Sequence, residues 1–399
     1  MSEGTIAWLL TSSALVLFMT PGLALFYGGM VRSKNVLNML MKNFFTISIV
    51  TVVWTVVGYT LAFGTDVGGG IVGGFDFLGL KGVEGDALLF MVFQMMFAII
   101  TPALISGAVA ERMKFSAWVL FTTLWALIVY PIIAHWGFAA DGLLFAWGVR
   151  DFAGGLVVHI NAGIAALALV FALGPRRGFA TEVMRPHSLP LTLIGTGILW
   201  FGWFGFNAGS ALAADGIAIN AFVTTQIGAA VAALGWVVAE SIKNGKPTTL
   251  GAASGAVAGL VAITPGAGFV SPMSAIAIGL VAGLVCFWAV SLKFRFRYDD
   301  SLDVVGIHLV GGIVGSVLLG VFAQSSINEF VPDGLLFGGA GFFIKQVVAV
   351  LAVISFTFIV SYLLARLVKA ITGLRVDENQ ETEGLDISLH EERGYVLSE

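Results

Sequence analysis

Charge is the scarcest feature of this sequence. Asp, Glu, Lys and Arg make up 11% of its 399 residues, less than half of the roughly 25% usual in a soluble globular domain. A chain so short of ions cannot cover a water-facing surface, which leaves a polytopic membrane protein as its class. The formal net charge of −4 is too small to imply a nucleic-acid partner. Cysteine is almost missing: Cys286 stands alone in an apolar run, so there is no disulfide framework within the chain and no thiolate metal site. No nucleophile–base pair, glycine-rich phosphate loop or metal-ligand cluster is present, which argues against an enzyme, a bound metal and a cofactor. The N-terminus has no basic stretch before its apolar run, and that run (Ile6–Val31) is too long for the core of a signal peptide. It reads as a first membrane helix.

Apolar residues and glycine are abundant. Hydrophobic residues reach 58%, the mean hydropathy is +0.96, and there are 51 glycines, small enough to let membrane helices approach closely. A membrane span needs about 20 mostly apolar residues. Eleven runs qualify: about 6–31, 43–64, 86–110, 115–138, 152–173, 188–210, 217–240, 249–268, 271–291, 301–323 and 338–371. They lack strand-like alternation, so the expected fold is all-α and not a barrel. Residues 65–85 are too glycine-rich to span and read as a surface loop.

Basic residues set the orientation. With the N-terminus outside, every Lys and Arg except Lys81, Arg150 and Lys345 falls on the cytoplasmic side. The expected topology is N-out and C-in. Beyond about Leu374 the chain turns polar and acidic and reads as a solvated cytoplasmic tail, although the alternation of Leu385, Ile387 and Leu389 with polar residues suits docking.

A repeat emerges from the few ionisable residues inside or beside the spans. Asp151 precedes His159 by eight residues at the start of the fifth span, and Asp300 precedes His308 by eight at the start of the tenth. Each histidine has a glycine four positions on, Gly163 and Gly312, and every element of the pattern recurs at an offset of 149. Five spans per unit is an odd number, so the second unit is inverted in the membrane. Eight residues of helix is about 12 Å of depth. Two residues that deep from opposite faces of a ~30 Å slab lie within about 6 Å of each other in depth. A histidine in a helix bundle often does no more than bond a backbone carbonyl, but the matched spacing points to a functional pair. No third ligand shares that depth, which argues against zinc. Asp151 has the position of a helix cap.

At these residues the chain resembles the ammonium transporter / methylammonium permease / Rhesus family, and more closely its microbial and plant ammonium transporter branch. The resemblance rests on DFAGGLVVHINAG (151–163), MTPGLALFYGGMVRSKNVLNMLMKN (19–43), FQMMFAIITPALISGAVAERMKF (93–115), WFGWFGFNAGSA (200–211), GAVAGLVAITPGAGFVSP (255–272), DVVGIHLVGGIVGSVLLG (303–320) and RVDENQETEGLDIS (375–388). It implies eleven helices with an inverted five-plus-five repeat and a homotrimer with one pore per subunit. The transmembrane domain would be 1–371 (repeat one about 6–173, repeat two about 188–323, last helix about 338–371), followed by a tail at 372–399. Residue by residue, the resemblance assigns an outer ammonium site to Phe93, Trp136 and Ser210, and a gate to Phe97 and Phe206. It assigns the pore to His159 and His308 with Trp203 beside it, and an essential acidic role to Asp151. Met95 and Met96 stand where the family commonly has smaller residues. The resemblance also implies a plasma-membrane location and a possible PII-type signalling protein at the cytoplasmic face.

These residue types suit ammonium, or methylammonium as its analogue. An aromatic cage attracts a cation by about 0.5–2 kcal/mol, and a hydroxyl accepts one N–H. An apolar lumen then penalises the ion heavily and neutral ammonia by only a few kcal/mol. The expected mechanism is deprotonation at the outer site, passage of ammonia past the histidines and reprotonation inside. The same residues serve an electrogenic carrier and an ammonia channel. A sensor that barely transports and a Rhesus-like gas channel are the alternatives. The first is disfavoured by the short tail, and the second by the tryptophan and serine assigned to the outer site.

Overall fold

The computed structural model describes residues 1–395, so residues 396–399 of the expected tail lie outside the described residues. Eleven apolar helices form the body: α1 Glu3–Met30, α2 Ser33–Phe63, α3 Gly85–Val109, α4 Phe115–Phe138, α5 Gly155–Leu173, α6 Leu189–Gly209, α7 Gly216–Asn244, α8 Thr249–Ile263, α9 Pro272–Ala289, α10 Val305–Phe322 and α11 Ala340–Thr372. Two isolated bridges are the only β pairing among the described residues. Lipid offers no partner to a peptide group, so runs of this length must close their hydrogen bonds within the helix. Several starts are fixed by side chains that take up free N–H groups: Ser188 for α6, Asp215 for α7, Thr248 for α8 and Ser271 for α9.

Two boundaries differ from the sequence expectation. Helix α2 begins at Ser33, about ten residues before the expected start, because polar Asn35, Asn38 and Lys42 are buried against neighbours and not exposed to lipid. Helix α8 ends at Ile263, short of 268, where Thr264, Pro265 and Gly266 turn the chain. A C-terminal pair, α12 Glu378–Glu383 and α13 Leu385–His390, completes the described chain.

Packing follows the repeat. Helix α1 lies along α6, and α5 crosses α10, its counterpart under the offset. The ends of α5 and α10 show that they run antiparallel: Gly174 meets Arg112 near the tail, while Ala323 meets Gly334 at the opposite face. At the crossing, a Cβ on Gly163 would collide with the backbone of Leu309, and a Cβ on Gly312 with Ile160. The two contacts are the same contact under the 149-residue offset. Both helices open with a π-helical stretch, Gly155–Ile160 and Val305–Leu309, the kind of local widening that clusters at functional sites.

The tail is docked and partly helical. Leu374 O accepts from Lys114 N at 2.9 Å and Val376 N donates to Arg112 O at 3.1 Å. Asp386 receives the N–H groups of Leu37 and Asn38 at 3.0 and 2.8 Å, capping the first turn of α2. Leu385 is fully buried, whereas Ile387 and Leu389 are half-buried.

The α5–α10 crossing generates a stability prediction. Gly163→Val and Gly312→Val should each destabilise by about 1–3 kcal/mol, the usual cost of overpacking. Gly341→Ala, whose added methyl meets nothing within 4 Å, should stay within about 0.5 kcal/mol of the parent. Thermal unfolding of the detergent-purified protein checks this; equal melting of all three variants would remove the crossing from its central place.

Candidate functional site

His159 and His308 meet at the centre of the bundle. Their Nδ1 atoms are 3.3 Å apart and their ring planes are 20° from parallel. Both side chains are buried. One imidazole must donate Nδ1–H to the other, so one keeps a bare Nε2 acceptor and the other an Nε2–H donor. Nε2 of His159 has no protein partner. The pair therefore offers one donor and one acceptor to a small polar solute.

Each histidine is positioned by the aspartate eight residues before it. Asp151 takes four N–H groups, from Gly154, Gly155, Leu156 and Val157, at 2.6–3.0 Å. Gly154 adopts φ 118° to turn the chain under that carboxylate, a conformation that suits glycine. Asp300 takes the N–H groups of Val304 and Val305 at 3.1 and 2.7 Å. Burial raises the pKa of Asp151 against the lowering effect of its N–H donors. Burial also pushes Asp300 up to about 6, with Lys293 opposing and Asp303 assisting. Sequence reasoning gave Asp300 no role beyond the repeat; its geometry is that of Asp151.

An aromatic column leads to the pair. Trp203 stacks on His159 at 5.4 Å and 18°, and its Nε1 is bonded to Thr264 Oγ1 at 2.8 Å. Phe206 lies 6.0 Å from the His159 ring, and Phe97 lies 4.3 Å from Phe206. Below these phenylalanines, a cavity of about 10 Å³ is lined by the two histidines, Trp203, Phe206, Phe26 and aliphatic side chains. That is room for about one water-sized molecule. Above them, a vestibule of about 490 Å³ opens on the face opposite the tail. Phe97 lines the vestibule and Phe206 the inner cavity, so their contact separates the two spaces.

The vestibule is lined by Phe138, Gln94, Ser210 and Asp151 among others. Ser210 spends its own proton on Phe206 O at 2.8 Å, which leaves its oxygen as an acceptor. Gln94 Oε1 is a buried acceptor with no protein partner. Two residues assigned to the outer site stand off the vestibule lining. Trp136 does not reach the vestibule: its ring packs on Phe356 of α11 at 5.0 Å and its Nε1 donates to Ile71 O at 3.1 Å. Phe138 is two residues on, about 200° round the helix, so it faces the cavity where Trp136 faces away. Phe93 is fully buried, edge-on to Phe97 at 5.0 Å, and lies behind the lining. The sequence does not single out Phe138 or Gln94, although helical phase separates Phe138 from Trp136.

At the tail face, charges come in pairs. Asp299 grips Arg176 through two parallel bonds at 2.9 and 2.8 Å. Glu111 takes Arg32 and Arg176 at 2.8 and 3.2 Å. Burial would raise Glu111, but Arg176 and Arg32 outweigh it and hold its carboxyl below the usual range. No group of three or more metal-ligating side chains occurs among the described residues.

Comparison with known proteins agrees with this architecture. The family model described as Ammonium Transporter Family matches residues 7–395. An ammonium transporter of Mycobacterium tuberculosis is 50% identical over 98% of this chain and 90% of its own length. Ammonium transporter Amt1 of Archaeoglobus fulgidus is 49% identical over 99% of this chain and all of its own. The crystal structure of Saccharomyces cerevisiae Mep2 superposes with a TM-score of 0.89 at 36% identity, covering 95% of this chain and 91% of that one. The chain is a multi-pass membrane protein, not an enzyme, and it belongs to the ammonium transporter family.

Proposed function

We propose that this chain moves ammonium across the membrane by holding the cation in the vestibule, deprotonating it and conducting ammonia past His159 and His308. The observation that carries the reading is the bonded histidine pair in an otherwise apolar cavity, closed off by Phe97 and Phe206. The vestibule supplies what a four-way hydrogen-bond donor needs: the acceptors Gln94 Oε1 and Ser210 Oγ, and the aromatic faces of Phe138 and Phe97. A cavity of about one molecule cannot carry a hydration shell, so the bare ion is excluded. Ammonia loses fewer hydrogen bonds, and the pair returns two of them: Nε2 accepts an N–H, and Nε2–H donates to the nitrogen lone pair. The histidine chain also provides a route by which the proton could cross separately.

The vestibule face is outside and the tail face cytoplasmic in this reading, supported by the basic residues gathered at the tail face. A plasma-membrane location, two inverted halves at about 6–173 and 188–323, and a homotrimer belong to the same proposal, supported by family membership. The docked tail offers a surface for a possible PII-type partner. A sensing role uses the same residues and is separated by the uptake assay.

Labelled methylammonium uptake into proteoliposomes tests the reading. His159→Ala should reduce uptake about tenfold or more, since it strands His308 Nδ1 at a cost of about 1–3 kcal/mol. Unchanged uptake would sink the histidine route, and negligible uptake by the wild type would favour sensing. Ammonium-dependent current on planar bilayers separates net charge movement from conduction of ammonia alone.

A second prediction concerns the outer site. Phe138→Leu should raise the half-saturating concentration roughly two- to thirtyfold, matching a cation–π loss of about 0.5–2 kcal/mol. Trp136→Leu should leave it nearly unchanged, and a larger effect from Trp136 would restore that residue to the site.

A further inference from the structure

The vestibule contains a charge of the wrong sign for its proposed cargo. Arg150 lines it, directly before Asp151. The guanidinium is held in place: Nε donates to Phe330 O at 2.6 Å, and Nη1 donates to Phe145 O and Val149 O at 3.0 and 2.8 Å. Cζ lies 4.4 Å from the centroid of the Phe145 ring, which also lines the vestibule. The backbone is clamped from both sides, since Arg150 N donates to Gln346 Oε1 and Gln346 Nε2 donates to Arg150 O.

All of these acceptors are neutral. No carboxylate lies within ion-pair distance of Arg150 among the described residues. The two vestibule carboxylates are committed to backbone N–H groups, Asp151 at the head of α5 and Asp215 at the head of α7. The residue equivalent to Arg150 under the 149-residue offset is Asp299, of opposite sign and doubly bonded to Arg176. The repeat thus keeps the capping aspartates and breaks symmetry at the position before them.

We propose that Arg150 is an affinity-determining residue: a fixed cation that occupies the aromatic face of Phe145 and lowers the occupancy of the vestibule by ammonium. Resting on the transport reading above, this makes Arg150 the residue that sets the half-saturating concentration. A guanidinium sharing a cavity of about 490 Å³ stands about one screening length from a bound ion at physiological salt. The repulsion is therefore felt at low ionic strength and fades at high. With Arg150 stacked on Phe145, ammonium is directed deeper, to Phe138, Gln94 and Ser210.

The test is saturable methylammonium uptake into proteoliposomes by wild type, Arg150→Met, Arg150→Gln and Arg150→Lys, at low and high choline chloride. Met keeps much of the aliphatic stem, Gln keeps a hydrogen-bond donor, and Lys keeps the charge. The neutral variants should lower the half-saturating concentration about two- to tenfold with little change in maximal rate, and Lys should return it toward the wild-type value. The gap between wild type and neutral variants should narrow at high salt. Half-saturation that is unchanged or raised in both neutral variants, with only the maximal rate falling, would make Arg150 a loop tie and overturn the proposal. If Phe138→Leu still weakens uptake in the same assay, the transport reading survives that outcome. Absence of saturable uptake by the wild type would overturn both.

Discussion

The bond between Nδ1 of His159 and Nδ1 of His308 ties the two halves of the chain together at their centre. Imidazoles can meet this closely only if the helices that carry them cross with almost no side chain between them. Gly163 and Gly312 stand at the crossing and meet Leu309 and Ile160, each the residue after a histidine. The rings must also be aimed at each other from opposite ends of the bundle. A π-helical stretch at the head of each helix and a carboxylate that takes up its first N–H groups provide that aim. Pair, crossing and capping aspartates therefore form one linked set of conditions, and the 149-residue offset is its trace in the chain.

The surrounding aromatics make the pair consequential. A buried imidazole with an open Nε2 is costly unless something meets it. The cavity around it is too small for an ion with its water. Trp203 cannot serve as a second donor, because Thr264 has taken its N–H. The polar groups facing the cavity thus reduce to the two histidines, while the vestibule above is rich in acceptors. A cation is best held where Gln94 and Ser210 lie, and a neutral molecule where the histidines lie. The stacked phenylalanines mark the boundary between those two environments.

Much of this was legible in the sequence, for physical reasons that also explain what was not. Eleven spans could be counted because lipid forces long apolar runs. The histidine pair could be found because an inverted repeat leaves equal spacings. Position around a helix could not be taken from a motif: Trp136 and Phe138 sit two residues apart and face opposite ways, and only packing against Phe356 shows which one is turned from the vestibule. The start of α2 lies earlier than the sequence suggests, because Lys42, Asn38 and Asn35 look like the end of a loop when their burial is unseen. From the sequence the tail reads largely as solvated because its anchors, Asp386 on the head of α2 and Glu381 on the backbone of Arg177, are long-range contacts. Gln94 gave no sign at all, since one glutamine in an apolar run becomes informative only when its oxygen is seen to face a cavity.

Where the two halves differ is as instructive as where they agree. The core obeys the offset, and a strictly symmetric path would have no preferred face. Symmetry fails at the ends. The residue before one capping aspartate is Asp299, locked to Arg176 in a dense ionic layer beneath the docked tail. The residue before the other is Arg150, a lone guanidinium leaning on an aromatic ring at the vestibule. A paired layer contributes rigidity and little net field, because each charge is answered locally. An unanswered charge does the reverse and acts on whatever enters the same cavity. The central machinery of this chain is therefore common to both faces, while the terms on which a cation meets it are set by residues that the repeat does not share.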